Sequence, residues 1–141
     1  MPSSDYDAKF SAPFIAAACF VRGRFGLAEL ADSALRDPDI LALADRVECA
    51  VDPKSAFPRF FSGGVVVTTK DGADFMHHEP VNRGAGERAL SAAEIEAKFL
   101  DNAALAVARP RAGAIRDLVL ALDYHDARAV AEGLAEIPAS E

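Results

Sequence analysis

Two adjacent histidines, His77 and His78, are the residues whose type and spacing come nearest to a metal site or a proton relay. They fall in a segment predicted to be a strand, where neighbouring side chains point to opposite faces of the sheet. The pair therefore cannot hold one ion in regular geometry. His125 is the third histidine, and no cysteine or aspartate cluster at ligand spacing accompanies it. We predict no metal site.

Cationic side chains offer a second chemistry, the binding of carboxylates. Arg22 and Arg24 follow a predicted helix, and Arg83 and Arg88 lie in a glycine-containing loop. These residues could hold an anionic ligand or face an acidic partner. Solvated surface arginine is the commoner explanation.

Three residues are candidates for binding a substrate carboxylate: Arg83, Arg88 and Lys9. The alternative is structural: the Lys9 stem lies along the surface at a helix start, or its ammonium pairs with Asp7. Ser11 is better explained as a helix cap than as a nucleophile, because no Gly-x-Ser-x-Gly turn surrounds it. Catalytic residues remain unknown.

Composition and charge argue against several classes of protein. The net charge is −7, and the fifteen Lys and Arg are scattered, which opposes a nucleic-acid partner. The longest apolar run, Ala12 to Val21, is too short to span a bilayer, and the first residues lack a secretory signal. We expect a cytoplasmic protein without a membrane partner. Cys19 and Cys49 lie in apolar surroundings, which predicts free, buried thiols.

The 141 residues fit one domain, with tails predicted to be disordered at 1–5 and 138–141. Ser11 and Gly23 bound a predicted buried helix over 12–22, and Asp37 caps another over 38–46.

In the middle of the chain the sequence pattern changes from one typical of helices to one typical of strands. Val47 to Val51 can form a strand, Val65 to Thr69 has branched side chains that suit a sheet, and Asp71-Gly72 predicts a two-residue turn into Ala73 to Glu79. That turn sets a register, which pairs Val67 with Met76, Val65 with His78, Val66 with His77 and Thr68 with Phe75. Both faces are then partly apolar, so we expect one to pack on helices and the other to meet a second surface.

Helices return after the hairpin. Ser91 to Glu94 forms a capping box before a helix, Pro110 interrupts the pattern, and a last helix fits 126–134, with Pro138 marking its end. A cluster of Phe57, Phe60 and Phe61 precedes the hairpin and favours packing over ligand stacking. The order predicts an α+β fold, with a small antiparallel sheet of about three strands packed with helices.

Two segments carry a family resemblance. Asp7-Ala8-Lys9-Phe10-Ser11-Ala12-Pro13-Phe14 resembles the D-A-K-F-S-x-P-Y segment of the MmgE/PrpD family, and Leu90 to Phe99 is similar to its P-L-S-x-x-E-L-x-x-K-F segment. The resemblance spans about Asp5 to Leu134. It departs at Arg83 to Ala89, where family members usually carry a Gly-x-Pro turn.

The family includes 2-methylcitrate dehydratases and cis-aconitate decarboxylases. The resemblance implies the smaller C-terminal domain and cofactor-free lyase or isomerase chemistry on a small polycarboxylate. In the family the catalytic residues come mostly from a large helical domain and the opening of the small one. We therefore expect a C-terminal part that does not catalyse alone, completed by a separate catalytic polypeptide or a lost segment, and no cofactor.

Two other functions stay open. A stand-alone module could form a homodimer through the sheet face predicted to bear Val66 and Phe75. Alternatively, the chain could bind small carboxylates through its arginines without catalysis.

Overall fold

A computed structural model describes residues 2–135. The chain divides into two compact units, Met1–Lys54 and Ser55–Glu141. The prediction of one domain over 1–141 stays a prediction. The tail predicted at 138–141 and the helix end at Pro138 lie outside the described residues, whereas the tail predicted at 1–5 overlaps a helix that begins at Asp5.

The first unit is helical. Its α-helices are α1 (Asp5–Phe10), α2 (Ala12–Arg22), α3 (Asp32–Leu35) and α4 (Pro38–Ala44), with a 3-10 helix at Leu27–Leu30. The predicted caps are confirmed: Ser11 accepts from the Phe14 N–H, and Asp37 accepts from the N–H groups of Asp39 and Ile40. Local sequence signals therefore suffice to place α2 and α4.

Phe14 and Ile40 form the centre of this unit's core, and both are fully buried. The Phe14 ring meets Phe25 edge to face, with 6.3 Å between ring centroids. Small residues let α2 approach α4 closely: the core also contains Ala8, Ala17, Ala18, Ala34 and Ala44.

One side of α2 is outside this core. The buried residues Phe14, Ala17 and Ala18 follow helical spacing, and Cys19 lies beyond them on the exposed side. Cys49 is also exposed. The prediction of buried thiols is therefore wrong for both cysteines, although both are free. Partial burial and the nearby Glu29 carboxylate raise the pKa of the Cys19 thiol.

The second unit contains a hairpin followed by helices. Strands β1 (Gly63–Thr68) and β2 (Asp74–Glu79) pair antiparallel, and α5 (Ala92–Ala103), α6 (Arg109–Leu120) and α7 (Ala127–Ala135) follow. Short 3-10 helices lie at Gly86–Arg88 and Leu122–Tyr124. The α+β fold class is confirmed, as a mostly helical chain with a two-stranded antiparallel hairpin.

The predicted register is wrong by one residue. The observed pairs are Gly63 with Glu79, Gly64 with His78, Val65 with His77, Val66 with Met76, Val67 with Phe75 and Thr68 with Asp74. The cause is the turn: the Thr69 N–H donates to the Ala73 carbonyl, so this bond encloses three turn residues, 70–72, rather than the two that were expected. Gly72 takes the positive φ of 83° that such a turn requires near its end.

Val47 to Val51 was expected to form a third strand, and this expectation is wrong because the segment is irregular. A strand needs a neighbour for its backbone groups, and the sheet of the described residues contains β1 and β2 alone. Both hairpin faces are open, where one was expected to pack on helices: Val65, Val66, Phe75 and Met76 are all exposed.

The helices of the second unit largely follow their predicted signals. Ser91 and Glu94 form the expected capping box at the start of α5. The helical pattern breaks before Pro110, as predicted: α5 ends at Ala103, and Pro110 occupies the first turn of α6, where proline is tolerated. Across residues 2–135 no helix has the length and apolar character needed to cross a membrane.

Candidate functional site

The segment Asp7 to Phe14 forms the junction between α1 and α2. Ser4 caps α1 by accepting from the Asp7 N–H at 3.1 Å, and Ser11 ends α1 and caps α2. The Ser11 hydroxyl accepts from the Phe14 N–H at 3.3 Å, which confirms its predicted role as a cap. Phe14 then enters the core directly. Ser11 and Phe14 of this segment therefore have structural roles, as a helix cap and a core residue.

Lys9 lies on the exposed side of α1, with its Nζ 3.8 Å from Oδ2 of Asp5. The expected partner, Asp7, instead accepts hydrogen bonds from Ser3, and these lower the pKa of the Asp7 carboxyl. The Lys9 pair is long and open to solvent, so it contributes little to stability and leaves the ammonium accessible.

A shallow depression adjoins α1. It has a volume of about 510 Å³ and is lined by Pro2, Tyr6, Asp7, Phe10 and Ser11. The rings of Tyr6 and Phe10 lie 5.1 Å apart by centroid and are largely exposed. The lining carries a carboxylate, Asp7, and no cation, which does not suit an anionic substrate.

Arg22, the last residue of α2, and Arg24, just beyond it, both pair with carboxylates of the first unit. Arg22 binds Asp37, the cap of α4, and lowers the pKa of that carboxyl. The Arg24 Nε lies 3.2 Å from the Glu29 Oε1. Glu29 is buried, and its second oxygen accepts from the Gly26 N–H at 2.8 Å. These contacts fix the chain between α2 and α4.

In the second unit, Arg83 pairs with Glu94. Glu94 also accepts from the Ser91 N–H and hydroxyl, each at 2.8 Å. The Ser91 hydrogen bonds first, and Arg83 next, lower the pKa of Glu94 to about 2. The Arg83 guanidinium thereby ties the glycine loop to the start of α5.

Arg88 pairs with Glu79 at the end of β2 and donates to the Val81 carbonyl at 3.0 Å. The same Glu79 side chain lies 2.8 Å from the His77 Nε2. Glu79 thus joins the strand end to the loop that follows it. The two loop arginines predicted to bind substrate, Arg83 and Arg88, therefore each have a protein carboxylate as partner.

His77 and His78 lie on opposite faces of the hairpin, as predicted, because they are neighbours in β2. His125 ends the 3-10 helix at Leu122–Tyr124. Within residues 2–135 no group of three or more His, Cys, Asp or Glu side chains could hold a metal ion.

The aromatic cluster before the hairpin is partly packed and partly exposed. Phe60 lies against Gly86, where an added Cβ would be 3.6 Å from the ring, and Arg59 covers the Phe60 ring. Phe57 and Phe61 meet edge to face and stay exposed. The Phe61 N–H donates to the Asn82 side chain at 3.1 Å, which holds this turn against the glycine loop.

The carboxylate partners were absent from the predicted site. Glu29 follows Gly26 at the spacing of a capping carboxylate, which is a signal that sequence inspection could have found. Glu79 carries no such signal, because its partner Arg88 is reached only when the loop folds back on the strand.

The described residues form an α+β fold in which Arg22, Arg24, Arg83 and Arg88 are each paired with a carboxylate of their own unit. The family model for the MmgE/PrpD C-terminal domain matches residues 1–124. The chain therefore belongs to the MmgE/PrpD family, as its C-terminal domain, and the resemblance seen in the sequence is confirmed. A search of curated proteins finds no match.

Proposed function

We propose that this chain serves as the C-terminal domain of a cytoplasmic MmgE/PrpD-type lyase or isomerase that acts on a small polycarboxylate of the 2-methylcitrate or cis-aconitate class. We further propose that these 141 residues do not turn over substrate alone. Family membership over residues 1–124 supports the class of chemistry. A helical catalytic domain, whether on the same or a separate polypeptide, would supply the remaining residues.

The ion pairs of the arginines support the proposal that these 141 residues do not turn over substrate alone. Arg22, Arg24, Arg83 and Arg88 each contact a carboxylate of their own unit. A polycarboxylate needs cations that are free to bind it, and an acid and a base positioned at the carbon that reacts. The adjacent imidazoles of His77 and His78 cannot act there together, since they face opposite sides of the hairpin.

The test is an activity assay of the purified chain with 2-methylcitrate, citrate and cis-aconitate, followed by chromatography of the products. We expect no turnover above a heat-treated control. The same assay with an added helical domain from an active family enzyme tests completion, with that enzyme as the positive control. Measurable turnover by the 141-residue protein alone would contradict the proposal.

A second candidate function is carboxylate binding by Lys9, Arg83 and Arg88. The pairs of Arg83 and Arg88 are largely open to solvent, and exposed ion pairs contribute little to stability. A ligand with several carboxylates could replace Glu94 and Glu79 at modest cost. Lys9 belongs to the other unit and is treated as a separate site.

Thermal denaturation with millimolar citrate tests this binding. A citrate site at the loop raises the melting temperature, and the rise falls as salt increases. The double variant Arg83→Gln, Arg88→Gln should lose the shift, and Lys9→Gln tests the other unit. Arg116→Gln is the matched control, because Arg116 is paired with Asp117 in the same unit but lies outside the loop. A missing citrate shift in the unmodified chain would remove this function.

A further inference from the structure

Arg88 closes the glycine loop, residues 80–89, through both its backbone and its side chain. Its carbonyl accepts from the Gly84 N–H at 2.8 Å, and its N–H donates to the Ala85 carbonyl at 3.0 Å. Its guanidinium donates to the Val81 carbonyl at 3.0 Å and pairs with Glu79 at the end of β2. Arg88 therefore contacts both the strand and the loop, and displacing its side chain would open the loop.

Arg83 lies in the same loop and is held by fewer contacts. Among the described residues its guanidinium forms one ion pair, with Glu94 at the start of α5. The Arg83 side chain is 67% exposed, against 41% for Arg88. The Arg83 guanidinium can therefore change its partner while the loop stays closed.

Glu94 does not depend on Arg83 for its hydrogen bonds. Its Oε1 pairs with Arg83, whereas its Oε2 accepts from the Ser91 N–H and hydroxyl, each at 2.8 Å. If Arg83 leaves, the carboxylate keeps both bonds of the capping box. Water can replace the guanidinium at Oε1, because the Glu94 side chain is exposed. The free energy needed to separate this pair is therefore small.

Glu79 depends more strongly on its arginine. Its Oε2 pairs with Arg88, and its Oε1 lies 2.8 Å from the His77 Nε2. Because His77 belongs to the same strand as Glu79, Arg88 is the partner that joins Glu79 to the loop. A ligand that took Arg88 from Glu79 would therefore release the loop from β2. Exchange at Arg83 leaves that contact in place.

We propose that, within the proposed carboxylate-binding function on which this assignment rests, Arg83 binds the ligand carboxylate and Arg88 is a positioning residue that keeps the loop closed. A ligand carboxylate replaces the Glu94 carboxylate on the Arg83 guanidinium, so one charge-assisted contact is exchanged for another. The negative charge of Glu94 stays nearby and repels the ligand. Glu94 thereby competes with the ligand for Arg83, and removal of its charge should strengthen binding.

Calorimetric titration with citrate tests the competition by Glu94. Glu94→Gln keeps an acceptor for the helix cap and frees Arg83, so it should tighten citrate binding by about two- to fivefold. Glu87→Gln is the matched control, because Glu87 carries the same charge in the same loop and pairs with neither arginine among the described residues. It should change the affinity less. Glu79→Gln should not tighten binding, because it releases the loop from β2. A gain with Glu79→Gln or Glu87→Gln as large as the gain with Glu94→Gln would overturn the proposal.

Substitution of the two arginines supplies a second measurement. Arg83→Gln should weaken citrate binding by about tenfold or more, and it should leave hydrogen exchange of residues 80–89 unchanged in the absence of citrate. Arg88→Gln should speed that exchange and weaken binding less. Arg88→Lys keeps a cation for Glu79, so it should recover the citrate affinity that Arg88→Gln loses.

The arginine variants also separate the assignment from the function on which it rests. Citrate binding that survives Arg83→Gln but is lost with Arg88→Gln would overturn the assignment and leave the carboxylate-binding function in place. Absence of citrate binding by the unmodified chain would remove that function and the assignment together. Neither result bears on the proposed lyase role, which is measured by turnover.

Discussion

Phe14 and Ile40 are fully buried in the first unit, whereas Ala112 is the one buried hydrophobic residue among residues 55–135. The family match covers most of both units, so the contrast lies within one family domain. The first unit resembles a small helical domain with its own core. The second has larger apolar side chains, such as Phe61 and Phe75, on its surface.

The contrast indicates how each unit is stabilised. In the first, burial of aromatic and aliphatic side chains supplies the favourable free energy. In the second, exposed polar contacts and one turn dominate: the Ser91 and Glu94 capping box, the ion pairs of Arg83 and Arg88, and the hairpin turn. Exposed contacts of this kind each contribute little, so exposed apolar surface in this unit is the place where a partner surface would add most stability.

The largest expected effect comes from truncating the core. Phe14→Ala should destabilise the first unit by about 3–5 kcal/mol, because it removes a fully buried ring and leaves a cavity. Phe75→Ala, at a site 63% exposed, should cost less than about 0.5 kcal/mol. Hydrogen exchange resolved by peptide measures each unit separately. Similar costs for the two variants would break the comparison and show that Phe75 is covered in solution.

The expected effect of intermediate size is the loss of stability on removing a helix cap. A cap acts over one turn of helix, so its contribution should be similar in both units whether or not the unit has a core. Ser11→Ala in the first unit and Ser91→Ala in the second should each cost about 1 kcal/mol. Chemical denaturation of the two variants, with hydrogen exchange to assign the unit, measures this. A cost confined to the first unit would mean that the capped helix of the second contributes nothing to its stability.

The sequence predicts contacts between residues that are close in the chain, and it misses contacts between residues that are far apart in the chain. Ser11, Asp37 and Ser91 were identified as caps, because each bonds to a residue within three positions. The partners of the arginines were not predicted: Arg22 and Asp37 are fifteen residues apart, and Arg83 and Glu94 eleven. Such pairs form only after the intervening chain has folded.

The hairpin shows how one residue changes a correct local signal into a wrong register. Asp71-Gly72 marked the turn correctly, but the bond between Thr69 and Ala73 lengthens the loop and shifts every cross-strand pair. Val66 and Phe75, expected on one face, therefore lie on opposite faces. The prediction of a third strand at Val47 to Val51 was wrong for a different reason, since a strand forms only where another strand can pair with its backbone groups.

The smallest expected effect is the pH dependence from Glu94. Its pKa is about 2 in the folded chain against an ordinary value of 4.5. A depressed pKa stabilises the folded chain above pH 4.5, and this stabilisation is lost as the pH falls from 4.5 toward 2. Glu94→Gln keeps an acceptor for the cap but cannot ionise. The stability difference between the unmodified chain and Glu94→Gln should therefore shrink over that pH range in thermal melts.

Ser91→Ala separates the causes of this pH dependence, because it removes the hydroxyl bond to Glu94 and keeps the backbone bond. The hydroxyl bond lowers the pKa of Glu94 more than the Arg83 hydrogen bond does. Carbon NMR of the Glu94 carboxyl should show a titration near pH 2 in the unmodified chain and a higher midpoint in Ser91→Ala. Arg83→Gln should raise the midpoint less. A larger rise with Arg83→Gln would make the ion pair, rather than the helix cap, the main contact of the Glu94 carboxylate. The glycine loop would then stabilise the charged form of Glu94 more than the cap does.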